Sequence, residues 1–234
     1  MSIVGMVPIV SNQCLFRAIR VIIALADPGL SVSMLIEFLD LVGTAAFAAT
    51  GAFKAVEHRA DVVGVIILAT ITGVAGGVLR DVIFGRIPPV AIANPLYVAI
   101  TIGVAVAIFF LYRSFKHYEG VILKFDAVGL GVFTIIGASF AYSMFGLNFL
   151  AMAFAGMVTA VGGGILRDVF VNEVPIVFVK ELYASASFAG VAAFFGMLAF
   201  GIEVSVAAVP CIALVTGLRM LAIKRNWNLP RSRL

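Results

Sequence analysis

Long hydrophobic runs separated by short polar punctuation make up most of this chain. At about 20 apolar residues per bilayer crossing, they predict helices near 35–55, 61–85, 90–112, 125–142, 148–171, 177–200 and 203–223. Ala127 to Leu166 carry no charge over forty residues, too long for one crossing, and the polar turn from Ser143 to Asn148 divides them into two helices. The first span is the most compromised: only thirteen uncharged residues separate Asp40 from Lys54, which places Asp40 within the membrane or snorkelling to its edge. The expectation is an all-α membrane protein with seven transmembrane helices.

A repeat organises these spans. TGVAGGVLRDV at 72–82 returns as TAVGGGILRDV at 159–169, identical at eight of eleven positions. Asp40 aligns with Asp126 and Gly51 with Gly137 at an offset of 86. After one inserted residue, Thr72 aligns with Thr159, Gly76-Gly77 with Gly163-Gly164, Arg80-Asp81 with Arg167-Asp168 and Pro88 with Pro175 at 87. Each copy holds three crossings, an odd number, so the second copy enters the membrane from the opposite side and the pair forms an inverted repeat. The predicted organisation is an N-terminal segment at 1–33, a first three-helix repeat at 34–117, a second, inverted one at 118–202, a seventh helix at 203–223 and a basic tail at 224–234. Residues 1–33 lack a signal peptide's basic start, and Met34 stands so close to the repeat that a translation start there fits the pattern.

Composition agrees with the solvent implied by the runs. Charged residues are 12% against roughly 25% in soluble domains, and hydrophobic residues are 63%. Cys14 and Cys211 show neither metal nor redox spacing and read as packing residues. The net charge of +4 needs no nucleic acid to explain it. With the chain entering its first span from outside, Lys54, Arg59, Arg113, Lys116, Lys124, Lys180, Lys224, Arg225, Arg231 and Arg233 collect on one face, and the opposite loops hold Arg86, with Arg17 and Arg20 in the leader. The positive-inside rule then puts the N-terminus outside and the C-terminus in the cytoplasm of a cell (inner) membrane, where basic residues meet anionic membrane lipid.

The doubled motif places chemistry where it is costly. An Arg or Asp at mid-helix costs roughly 2.5–3.5 kcal/mol on insertion scales, and a helical glycine about 1 kcal/mol relative to alanine. Inversion sends Arg80 and Asp81 toward the outer end and Arg167 and Asp168 toward the inner one, with Asp40 level with Arg80 and Asp126 level with Arg167. A cross-helix Asp to Arg pair is therefore expected at each end. Residues adjacent in a helix diverge, so Arg80 and Asp81 are each expected to find partners elsewhere. Gly76, Gly77, Gly163 and Gly164 read as kinks that free carbonyls beside a pore, although Gly73 and Gly77 also have a close-packing spacing. Thr72 and Thr159, one turn earlier, are candidate pore hydroxyls that can alternatively bond back to their own helices. His58 and His117 read as solvated loop residues.

The doubled GG-x-L-R-D unit, three crossings per repeat and the extra helix resemble the trimeric intracellular cation channel family in its prokaryotic branch, whose domain also carries the name glycine transporter. The resemblance spans about residues 34–223. It implies a homotrimer with one pore per protomer, potassium or another monovalent cation as the permeant species, bends at Gly76-Gly77 and Gly163-Gly164, and Arg80, Asp81, Arg167 and Asp168 flanking the conduit. No TVGYG filter occurs, so any discrimination among cations should be modest. Inverted repeats are also usual in secondary transporters, which leaves a carrier of glycine or another small zwitterion as the alternative. Without a Ser-His-Asp, metal-ligand or phosphate-loop pattern, neither an enzyme nor a cofactor is expected.

Overall fold

The structure, a computed structural model, describes residues 28–112, 118–179, 182–225 and 227. Among them lie nine helices: α1 (Pro28–Glu57), α2 (Val62–Ile83), α3 (Val90–Ala93), α4 (Pro95–Leu111), α5 (Tyr118–Phe145), α6 (Phe149–Phe170), α7 (Ile176–Val179), α8 (Ala184–Ala199) and α9 (Val204–Arg225). Five of them, α1, α2, α5, α6 and α9, hold stretches of 22 to 26 residues apolar enough to cross a bilayer. With α4 and α8 at 17 and 16 apolar residues, the chain is an all-helical, multi-pass membrane protein.

Three boundaries differ from expectation. Helix α1 begins at Pro28, ahead of the boundary at residue 34; of the N-terminal segment, 1–27 lie outside the described residues, as do 113–117, 180–181, 226 and 228–234 with Cys14, His117 and most of the basic tail. The third predicted span, 90–112, is divided into α3 and α4 at Asn94, which is extended (φ −112°, ψ 107°), while its side chain caps the Leu96 N–H and Pro95 opens α4. A residue preceding proline is pushed out of the helical region, and proline suits a first helical position. The sixth, 177–200, is likewise two helices, α7 and α8.

Helices α2 and α6 are built alike. Asp61 caps α2 by accepting from Gly64 N–H, and Asn148 caps α6 by accepting from Ala151 N–H. Both end in a left-handed residue, Gly85 (φ 76°) and Asn172 (φ 58°), with Arg86 N–H bonded to Asp81 C=O and Glu173 N–H to Asp168 C=O. This is the Schellman closure of a helix C-terminus. It turns the chain sharply into α3 and α7.

Both helices run continuously through their glycines. The glycines also serve close approach. A Cβ on Gly76 would collide with the Thr159 carbonyl oxygen, and one on Gly163 with the Thr72 carbonyl oxygen. A second reciprocal set supports this crossing: a Cβ on Gly51 of α1 would lie 2.5 Å from Thr72 Oγ1, and one on Gly137 of α5 2.6 Å from Thr159 Oγ1. A glycine fits at these four positions because a side chain would have to displace backbone or a buried hydroxyl.

The remaining packing follows from the crossing. Helices α1 and α5 flank it, with Phe47 and Phe133 in contact at 5.1 Å between ring centroids and both nearly inaccessible. Apolar clusters extend to either side, one around Phe53, Leu68 and Ile108, the other around Ile135, Met152 and Phe194. Cys211 is buried in the latter, its Sγ 3.6 Å from Met197 Sδ.

Gly76→Ala and Gly163→Ala should each destabilise the protein by about 1–3 kcal/mol, the usual range for overpacking. Gly77→Ala, whose Cβ would meet nothing nearer than Arg80 Nη2 at 3.9 Å, should be neutral or stabilising. Melting temperatures of the purified variants in detergent check this; equal values for Gly76→Ala and Gly77→Ala would contradict the crossing.

Candidate functional site

At the C-terminal end of α2, the two charges of the motif find each other. Arg80 Nε and Nη2 donate to Asp81 Oδ1 at 3.0 and 2.8 Å, and Asp81 Oδ2 accepts the Val90 N–H at 2.9 Å. The expectation that neighbours in a helix cannot pair is corrected here: the long guanidinium sweeps sideways around the helix to the next carboxylate. Asp81 also ties α2 to the first turn of α3. Asp40, level with Arg80, accepts from the Tyr97 hydroxyl at 2.6 Å rather than forming the expected ion pair with Arg80. The guanidinium lies instead 4.7 Å from the Phe140 ring centroid, in cation–π range.

This end is hollow. A cavity of about 460 Å³ is lined by Glu37, Asp40, Arg80, Arg86, Tyr97 and Ser139, among others. Asp40, Arg80 and Tyr97 also border a narrow space of about 10 Å³ that reaches Thr44, Gly73, Gly77 and Phe133, scarcely enough for one water. Glu37 and Asp40 stand on the cavity wall against Arg80 and Arg86, two carboxylates and two guanidinium groups.

The corresponding end of α6 is packed. Arg167 is fully buried; its Nη1 donates to Asp126 Oδ1 and to Thr50 Oγ1, each at 2.9 Å, and its Nε to Asp168 Oδ1 at 2.8 Å. Asp168 Oδ2 accepts the Ile176 N–H at 2.8 Å, repeating the tie from α2 to α3. Here the expected cross-helix pair, Asp126 with Arg167, is formed. Tyr183 is buried beside it, and Arg219 of α9 stacks on the Tyr183 ring at 4.8 Å. Two carboxylates around one guanidinium, all dry, are stable only because nearly every charge has a partner.

Thr72 and Thr159 are fully buried, and each hydroxyl donates to the carbonyl four residues earlier, Leu68 or Ala155, at 2.6 Å. They face the glycines of the flanking helices, with the back-bonding that the sequence offered as the alternative. Of the glycines, Gly77 borders the narrow space, and Gly164 faces Tyr183 Oη at 3.3 Å from an added Cβ.

Several residues escaped notice in the sequence. Tyr97 and Tyr183 recur at the offset of 86 that relates Asp40 to Asp126, as do Phe47 and Phe133, so the same alignment carried the signal. Nothing in the alignment marks Lys54, whose Nζ meets Glu173 at 2.7 and 2.8 Å, joining the end of α1 to the loop after α6. His58, expected to be solvated, joins this group at 3.4 Å from Glu173.

Known proteins resemble this chain in sequence and fold. The family described as glycine transporter matches twice, at residues 37–113 and 123–199. A UPF0126 membrane protein of Deinococcus radiodurans is 39% identical over 160 residues, covering 68% of this chain and 74% of its own length. The UPF0126 inner membrane protein YadS of Escherichia coli K12 is 32% identical over 199 residues, covering 84% and 96%. Among solved structures, the TRIC trimeric intracellular cation channel orthologue from Rhodobacter sphaeroides superposes with a TM-score of 0.79 at 34% identity, covering 82% of this chain and 98% of that one.

Arg167→Ala leaves two carboxylates buried without a counter-charge and should cost about 3–5 kcal/mol, the range for breaking a buried pair. Arg80→Ala, beside the cavity where water can replace it, should cost less. Thermal unfolding of the two variants tests the difference; a larger loss for Arg80→Ala would contradict the assignment of the packed end.

Proposed function

The chain belongs to the glycine transporter family, and from that premise we propose that it is a cation channel in which each protomer carries its own passage beside the crossing of α2 and α6. The cavity of about 460 Å³ at the Arg80 end carries this reading. It brings Asp40 and Glu37 into contact with a space large enough for a hydrated ion and narrows toward Phe133 at the level of the glycines. The Glu37 and Asp40 carboxylates offer a cation its partners there, and the printed name of the Rhodobacter sphaeroides relative points the same way. Potassium is the monovalent cation proposed to pass, with modest discrimination because the sequence contains no TVGYG filter.

Seven helices cross the bilayer in this proposal, α1, α2 and α4 forming one repeat, α5, α6 and α8 its inverted counterpart, and α9 standing outside both. The reciprocal glycine contacts support that inversion. The Arg80 end faces outward and the Arg167 end faces the cytoplasm, consistent with the basic residues at the latter, Lys54 and Arg59 at the end of α1 and Lys224 and Arg225 at the end of α9. Three copies assemble as a homotrimer within membrane lipid. The cavity at the Arg80 end and the packed cluster of Arg167, Asp126 and Asp168 at the other support a passage open at one end and closed at the other.

One end open and one closed is also the posture of an alternating-access carrier, and the family's description keeps that reading in view. Reconstituted bilayers separate the two. A channel gives unitary currents that reverse near the potassium equilibrium potential; a carrier gives saturable glycine counterflow without discrete openings, and that result would overturn the channel reading. Asp40→Asn should lower the unitary conductance about two- to fivefold by removing a carboxylate from the cavity wall.

A further inference from the structure

The wall of the cavity at the Arg80 end carries charge that the protein leaves uncombined. The guanidinium groups of Arg80 and Arg86 lie 4.7 and 5.9 Å from the centroid of one ring, Phe140, which holds two like charges close together. Glu37 and Asp40 stand three residues apart on α1, neighbours on one helix face whose like charges also oppose each other. Yet among the described residues neither Glu37 nor Arg86 forms an ion pair. Asp40 gives Oδ2 to Tyr97, and Arg80 gives Nε and Nη2 to Asp81, which leaves Asp40 Oδ1 and Arg80 Nη1 for a further partner.

Two further observations point to an occupant. Ser139 on the same wall is 8% exposed, and its Oγ is buried without a hydrogen bond, a group that costs free energy until something bonds it. The repeat does not require these side chains either. Asp40, Arg80 and Tyr97 recur as Asp126, Arg167 and Tyr183, whereas the positions matching Glu37, Arg86 and Ser139 at the same offsets hold Leu123, Glu173 and Phe53. The three are particular to the hollow end. Between the charges the wall is apolar, with Ile36, Val90, Ile136 and Phe140. Beside the wall residues Glu37, Arg86 and Ser143 stand Phe38, Ile87 and Met144, which are 63%, 78% and 49% exposed, a rim suited to lipid.

Going beyond the reading of a cation passage, we propose that this cavity binds a phosphoethanolamine group, a primary ammonium joined to a phosphate, carried by a membrane lipid or by the free compound. Arg86 and Arg80 take the phosphate, for which a guanidinium offers a matching fork of donors; Glu37 and Asp40 take the ammonium; and the Ser139 hydroxyl donates to a phosphate oxygen. One dipolar ligand thereby relieves both like-charge pairs. A primary ammonium brings three N–H donors to the carboxylates, which choline lacks. Choline is held by open aromatic faces, and Phe140 already carries Arg80. Glycine has both poles but no apolar part, and it fills a small share of about 460 Å³, whereas pockets of this size bury most of a ligand's surface.

Native mass spectrometry of the full-length protein in detergent, with dioleoylphosphatidylethanolamine or dioleoylphosphatidylcholine added at equal concentration, measures the lipid retained. The parent should retain the ethanolamine lipid about tenfold more tightly, the scale of one charge-assisted hydrogen bond. Glu37→Gln should bring the ethanolamine lipid to the level of the choline lipid and leave the latter unchanged, and Arg86→Gln should weaken both. Both side chains are exposed and unpaired among the described residues, so neither substitution disturbs packing. Displacement of the lipid by free phosphoethanolamine supports the site with a soluble source, and displacement by intact lipid alone supports it with the membrane as source. Equal retention of the two lipids by the parent, retention unchanged in both variants, or displacement by glycine as readily as by phosphoethanolamine overturns it. No current enters these readouts, so a silent bilayer defeats the channel reading and leaves this site standing.

Discussion

The backbones of α2 and α6 touch, and the rest of the molecule is arranged around that contact. Gly76 faces the Thr159 carbonyl and Gly163 the Thr72 carbonyl, an approach that any side chain would prevent. In lipid there is no hydrophobic force to press two apolar helices together, so association relies on dispersion and fit, and small residues maximise both. Once the two helices cross here, their C-terminal ends diverge, each carrying an Arg-Asp pair away from the crossing. Helices α1 and α5 fill the flanks with Phe47 and Phe133, each meeting a glycine of the other helix: Phe47 lies against Gly129 and Phe133 against Gly43.

The polar chemistry is confined by this geometry to two depths. Near the crossing the threonines satisfy their hydroxyls on their own helices, and the surroundings are dry. Beyond it, each Asp of an Arg-Asp pair fastens its helix to the following short helix, Asp81 to Val90 and Asp168 to Ile176. These charges therefore shape the backbone at both ends. Arg167 shows how completely such a charge can be buried when Asp126, Asp168 and Thr50 surround it, whereas Arg80 keeps one carboxylate and an aromatic face beside a cavity. The desolvation cost of a membrane charge is met by partners at one end and by access to water at the other.

Much of this was legible in the sequence because hydrophobic length and internal repetition are properties of the chain itself. The positions of α2, α5, α6 and α9 follow from uncharged runs, and the pairing of Asp126 with Arg167 from their common depth. Depth does not determine azimuth or rotamer, which is why Arg80 with Asp81 and Asp40 with Tyr97 were missed. The glycines were visible as a signal, but whether they bend a helix or admit a neighbour depends on what faces them, and only tertiary structure shows the Thr159 and Thr72 carbonyls there. The division between α3 and α4 was present as Asn94-Pro95 and was masked by the hydrophobicity on both sides. Lys54 and Glu173 lie 119 residues apart, and no local pattern links them.

Asymmetry between two related ends is the central claim, and electron cryomicroscopy of the full-length protein in lipid nanodiscs with potassium tests it most directly. Ordered water or ion density should enter from the Arg80 side, reach Asp40 and Tyr97, and stop before the Phe47 and Phe133 rings, with Arg167 held between Asp126 and Asp168. Side chains filling the space around Asp40, with solvent density reaching Arg167 instead, would contradict it.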